Sequence, residues 1–108
     1  MPDKFHDEPA DAESHVKFLA RKIVETVKPS DVISRAVQLR QQGHEWRGAS
    51  PFSGQDSLFI SDEHRFYICT VTLKQGDVIR WTMEQGEQAY EEAVRYLATR
   101  FLGVRAPL

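Results

Sequence analysis

The amino-acid sequence predicts an α+β domain, a small antiparallel β-sheet flanked by N-terminal and C-terminal helices. Three observations lead there. Apolar residues recur at helical spacing near both ends of the chain, short runs in the middle alternate apolar with polar residues, and glycine or proline separates the runs. A chain of 108 residues has room for one modest core. No apolar run approaches the roughly 20 residues that cross a bilayer. The acidic N-terminus lacks the apolar stretch of a signal peptide, so no membrane is expected and the expected location is cytoplasmic. Cys69, the single cysteine, has no partner for an intramolecular disulfide.

Residues 1–13 are acidic, contain Pro2 and Pro9, and are expected to form a disordered tail ahead of a domain over 14–108. Val16, Leu19, Ala20, Ile23, Val24 and Val27 then share one face, which predicts a helix over about 15–27. Pro29 ends it, and Ser30 stands where it can cap a short helix over 31–35. Val37 and Leu39 alternate with Gln38 and Arg40, a strand that stops at Gly43, with residues 44–47 pairing back across the turn. Ser50 to Gly54 form a turn. Residues 58–61 and 65–73 read as strands joined in a hairpin by Asp62, Glu63 and His64. Gly76 closes the sheet, and Asp77 stands at the start of a helix reaching about Gln85. After Gly86, a last helix over 87–102 aligns Tyr90, Ala93, Val94, Leu97, Ala98 and Phe101, with Glu87, Glu91 and Glu92 in its first turns.

The net charge of −2 is unevenly spread. Residues 1–15 hold five acids and one base, whereas residues 17–47 hold seven bases against Glu25, Asp31 and Glu45. Such a basic stretch attracts phosphates. On charge alone, a solvated helix face is the simpler account.

Several stretches now combine. Leu39 to Trp46, Ser50-Pro51-Phe52-Ser53, Phe66-Tyr67-Ile68-Cys69 and Gly76-Asp77-Val78-Ile79 follow one another at characteristic spacing, with Tyr90 to Val94 and Leu97-Ala98 behind them. In this order they resemble the N-terminal zinc-binding (zinc ribbon) domain of bacterial DNA primases. That family has a Cys-Pro-Phe-His knuckle, a Phe-Tyr-x-Cys-x-x-Cys knuckle and a Gly-Asp-Val-Ile helix start. The resemblance covers about Leu19 to Val104 and implies a zinc-ribbon-like sheet. At the four ligand positions, however, this chain has Ser50, Ser53, Cys69 and Thr72. A structural zinc needs four thiolate or imidazole ligands in a tetrahedron. The resemblance is therefore to a degenerate form lacking the zinc ligands, and neither metal nor cofactor is expected. His44 and His64 stand at the wrong positions to complete a knuckle.

The run Cys69-Thr70-Val71-Thr72-Leu73 is rich in β-branched residues. It predicts a second knuckle straightened into a longer strand, with Tyr67, Cys69, Val71 and Leu73 on the face where the metal would lie. Apolar packing would then replace coordination, and Cys69 would be a small buried hydrophobe.

No catalytic constellation emerges. Ser50 and Ser53 lack a nucleophile elbow, and Glu91 and Glu92 are consecutive on a helix and point apart. Primases polymerise with a separate domain, so the resemblance implies a non-catalytic binding module and no enzyme. It implies contact with single-stranded DNA or RNA, or with replication proteins of the DNA replication machinery. Aromatic stacking and backbone-tracking bases would carry nucleic-acid contact. Trp46 (expected to be exposed), Phe59 and Tyr67 are the candidate platforms, and Arg35, Arg40, Arg47, Arg65 and Lys74 the candidate phosphate contacts. The competing reading is a protein-interaction or regulatory module, carried by a mobile element, that binds no nucleic acid and whose acidic tail suits a basic partner. The oligomeric state stays open.

Overall fold

The computed structural model describes residues 12–104. The expected disordered tail falls mostly outside this range, but its last two residues are already helical. Helix α1 (Ala12–Thr26) buries Val16, Leu19, Ala20 and Ile23 along one stripe, as the spacing predicts. Pro29 does more than end that helix. It opens α2 (Pro29–Ile33), where its missing N–H is no loss. Ser30 does not cap α2 either. Its amide and hydroxyl instead donate to the two carboxylate oxygens of Asp62, at 2.9 and 2.5 Å, so a hairpin carboxylate satisfies the helix start.

Five antiparallel strands follow in sequential order: β1 (Arg40–Gln42), β2 (Glu45–Gly48), β3 (Leu58–Ser61), β4 (Phe66–Cys69) and β5 (Gln75–Gly76). The first strand starts three residues later than the alternation suggested. Val37 and Leu39 pack partly buried against the core instead, passing so close to Gly48 that a Cβ there would lie 2.9 Å from both the Gln38 carbonyl and a Val37 methyl. Gly43, at φ +66°, supplies the left-handed residue of the two-residue β1–β2 loop.

The main correction lies after Cys69. β4 ends there, and residues 70–73 form a turn rather than a longer strand. The Leu73 amide donates to the Cys69 carbonyl at 2.7 Å, and the Cys69 amide to the Lys74 carbonyl at 2.8 Å. Val71 and Leu73 are 51% and 67% exposed, so they do not pack where a metal would lie. The physical reason is pairing. β3 offers β4 only four partners, and closing the sheet requires the chain to return as β5 beside Tyr67 and Ile68. Long-range pairing overrides the β propensity of Thr70, Val71 and Thr72.

Asp77 caps α3 (Val78–Gly86), accepting from the amides of Ile79 and Arg80 at 3.0 Å each. Helix α4 (Tyr90–Leu97) starts three residues later than expected, with the Glu92 carboxylate accepting from the Ala89 amide. It runs on as a π-helical turn, Ala98–Leu102. Ala93, Val94, Leu97 and Ala98 are buried, while Tyr90 is 44% exposed. No helix among the described residues is long and apolar enough to cross a membrane.

Candidate functional site

The strand register sorts the sheet residues into two faces, because directly paired residues point the same way and successive residues alternate. One face carries Trp46, Ile60 and Tyr67 in one row, and Gly48, Leu58 and Cys69 in the next. Leu58, Ile60, Tyr67 and Cys69 are at most 1% exposed, so this is the core face. The opposite face carries a row that crosses all five strands, namely Arg40, Arg47, Phe59, Ile68 and Gln75. At about 4.8 Å between strands, the row spans roughly 19 Å. Its members are exposed or half-exposed, and Phe66 stands next to it at 36%.

This sorting separates the sequence candidates. Arg40, Arg47 and Phe59 come together on the open row. The Arg47 guanidinium lies 4.4 Å from the Phe59 ring centroid, in cation–π contact. Arg40 and Arg47 are cross-strand neighbours of like charge, and Asp56 sits between them. The Asp56 carboxylate accepts two bonds from Arg40, at 2.9 and 2.5 Å, and the Asp56 carbonyl is 3.5 Å from Arg47 Nη2. The hydrogen bond from Arg40 holds the Asp56 carboxyl below its ordinary range, and the same bond raises the Arg40 guanidinium. Arg40 is therefore partly neutralised, which leaves Arg47 as the freer cation of the pair.

The other candidates lie elsewhere. Trp46 is on the core face, half-buried and packed against the core, rather than being an exposed platform. Tyr67 is 1% exposed, with its ring 6.2 Å from Phe52 and 5.2 Å from Trp81. It is a core residue. Burial, with Glu84 nearby, pushes its hydroxyl up to about 12. Arg65, held at φ +61°, donates to the Val27 carbonyl at 3.4 Å and ties the hairpin to the end of α1. Lys74 lies 5.5 Å over Phe52 and 3.4 Å from the Glu84 carboxylate. Arg35 lies 5.0 Å over Phe101 and away from the sheet. Two open-face residues, Phe66 and Ile68, escaped the sequence reading. Their signal was parity with Phe59 across the β3–β4 hairpin.

The four former ligand positions do come together. Two turns, one at each knuckle, hold them through main-chain bonds. The Ser50 carbonyl accepts from Ser53 and Gly54 at 3.3 and 2.7 Å, while the Cys69 carbonyl accepts from Leu73. Cys69 is buried, as expected of a lone cysteine, but hydroxyls rather than apolar side chains surround its sulfur. Ser57 Oγ lies 3.4 Å from Cys69 Sγ and 2.9 Å from Ser53 Oγ, and the Ser50 and Thr72 hydroxyls also reach the sulfur. Ser57, invisible in the sequence among other turn serines, occupies the centre of the cluster. Burial pushes the Cys69 thiol up, but the Ser50, Ser57 and Thr72 hydroxyls and the Thr72 amide together outweigh it and bring it to about 5. As a metal site the cluster does not fit. It offers one thiol and three neutral hydroxyls, and no group of three or more His, Cys, Asp or Glu side chains gathers among the described residues.

Two knuckle-shaped turns at one end of a short antiparallel sheet, with helices behind it, define a module of the zinc-ribbon class. The chain matches the CHC2 zinc finger family over residues 15–106, and it belongs to that family. It is 34% identical over 86 residues to a DNA primase of Myxococcus xanthus, covering 78% of this chain and 14% of that protein. A DNA primase of Clostridium acetobutylicum is 30% identical over 89 residues, covering 77% of this chain and 15% of the other. The solved zinc-binding and RNA polymerase domains of the Aquifex aeolicus primase superpose with a TM-score of 0.72 at 26% identity, over 77% of this chain and 21% of that one. The expected family and α+β fold are thus borne out, in a member whose zinc-ligand positions carry Ser50, Ser53, Cys69 and Thr72. The chain spans only about a seventh of the length of the curated relatives it matches, and the matched part is the zinc-binding module.

Proposed function

We propose that this protein is a non-catalytic binding module acting in DNA replication, and that the open sheet row binds single-stranded nucleic acid. The observation that carries this reading is the alignment of Arg47, Phe59 and Ile68 as direct cross-strand neighbours on the uncovered face. A basic edge that runs into an aromatic and apolar surface matches what a single strand offers, with phosphates on one side and unstacked bases on the other. Kinship with the zinc-binding part of primases, enzymes that work on single-stranded template, supports the same substrate class.

Fluorescence anisotropy with labelled single-stranded oligonucleotides across a salt series tests the proposal. Phe59→Ala should weaken binding by roughly 1–3 kcal/mol, the worth of one stacked base, without changing the salt slope. Arg47→Ala should lower the slope by roughly 0.7, the share of one phosphate contact on a single strand. Arg35→Ala, far from the row, should change neither. Absence of wild-type binding at low salt would overturn the proposal. The same face would then be read as a protein-docking surface.

A further inference from the structure

Asp56 stands two residues before β3 and belongs to no strand, yet the chain fixes it from both sides. The Ser50 and Ser57 amides both donate to the Gln55 carbonyl, at 2.7 and 2.8 Å, and the Ser57 carbonyl accepts from the Thr70 amide at 2.9 Å. Ser57 in turn sets its hydroxyl against Cys69. The two knuckle turns therefore hold Asp56 at the basic end of the open row. There its two carboxylate oxygens accept from Arg40 Nη1 and Nη2, the two-pronged geometry with which a guanidinium also grips a phosphate. The Arg40 and Asp56 side chains are 57% and 54% exposed. A pair so open to water contributes little to the fold and exchanges readily.

We propose that Asp56 stands in for a phosphate on the resting row, and that a bound single strand takes Arg40 away from it. This rests on the reading of the row as a nucleic-acid site. Arg40 and Arg47 are direct cross-strand partners, so a strand whose phosphate meets Arg47 and whose base stacks on Phe59 carries its neighbouring phosphate towards Arg40. One two-pronged acceptor then replaces another, and Arg40 keeps its bonding geometry. Until that exchange, the row offers the charge of Arg47 beside an aromatic ring, so stacking weighs more than charge in what stays bound. After it, the Asp56 carboxylate is left unpaired beside the strand and favours release. Asp56 thereby sets how tightly the row holds a strand and how strongly salt loosens it. A purely structural role, in which Asp56 only offsets the repulsion between the two arginines, would change stability and leave binding as it is.

Asp56→Asn in the full chain, which keeps the size of the side chain and removes its charge, tests the proposal by fluorescence anisotropy with a labelled single-stranded oligonucleotide across a salt series. Urea melts check that each variant is folded. Binding at low salt should tighten roughly 3- to 10-fold, the worth of one released cation. The salt slope should steepen by roughly 0.7, the share of one further phosphate contact on a single strand. Adding Arg40→Ala to Asp56→Asn should return both quantities to the parent's values, because the cation that was released is gone. An unchanged affinity and slope in Asp56→Asn, with a parent that binds, would overturn the proposal and leave the row's binding role standing. A gain that persists in the double variant would also overturn it, since Arg40 would not be the group withheld. Binding by Asp56→Asn alone would support the exchange while overturning the parent as a binder. Binding by neither protein would overturn both.

Discussion

Removing one oxygen from the core should strengthen this protein. Tyr67 is fully buried, yet its hydroxyl has no hydrogen-bond partner among the described residues. A hydroxyl taken from water without a replacement bond costs roughly 1–3 kcal/mol. Tyr67→Phe keeps the ring contacts with Phe52 and Trp81 and deletes the orphan. It should therefore stabilise the fold by about 1–2 kcal/mol, with roughly 4–8 °C in Tm for each kcal/mol. A second arm comes from alkaline pH. Burial raises the phenol to about 12 in the folded state, against about 10 unfolded. The folded state thus holds this proton more tightly. Its contribution is complete below pH 10 and is lost as pH rises towards 12, by about 2.7 kcal/mol at most for two units. Urea melts of both proteins at neutral pH and near pH 11 read the two effects separately, since Lys and Arg titrate alike in each. The advantage of the variant should widen at the higher pH. A variant less stable than the parent at neutral pH would refute the reasoning, since the hydroxyl must then make a bond worth keeping.

Val71→Asp should change stability by less than about 0.5 kcal/mol, because the side chain stands in water; a loss of several kcal/mol in a urea melt would restore the straightened strand. Ser50→Cys, Ser53→His and Thr72→Cys, made together, should rebuild a four-ligand site on turns that already have the right form. The triple variant should retain one zinc per chain through dialysis and melt at a higher temperature with zinc than with chelator, whereas a variant that binds none would show that the turns have drifted out of ligand geometry. Finally, the ultraviolet absorbance of the Cys69 thiolate should titrate near pH 5. The unfolded thiol titrates near 8.5, so the thiolate stabilises the folded state above that pH and its contribution is lost as pH falls through 5. Cys69→Ser should flatten the pH dependence of stability across that interval.

The helices were legible because their signals are local. Period and caps place α1 and α3 to within a few residues, and Asp77 caps as its position suggests. The open row was half legible. Arg40, Arg47 and Phe59 do fall together on the open face, whereas Trp46, expected to be exposed because its neighbours Glu45 and Arg47 are charged, is half-buried against the core. In a strand, charged neighbours mark the opposite face, so they argue for burial of Trp46. The straightened knuckle failed for a different reason. Thr70, Val71 and Thr72 have strand chemistry, but whether a strand continues depends on a partner, and the partner ends at Leu58. Ser57 and Asp56 carry no local signal at all. Their roles, beside a sulfur and between two arginines, arise only when distant segments meet.

The two turns around Cys69 are shaped by main-chain bonds, and this separates form from supply. A folded state whose equilibrium contains no metal does not shift with the concentration of that metal. Where a ribbon depends on zinc, stability is tied to thiolate deprotonation and to whatever competes for the ion. With one thiol and three hydroxyls at the ligand positions, a zinc-dependent coupling has no full ligand set to act through, so chelators or zinc scarcity should leave the sheet and its exposed row in place. The same independence describes a route for sequence change. Once the backbone alone holds the knuckles, each ligand position is free to drift without unfolding the surface that the module presents.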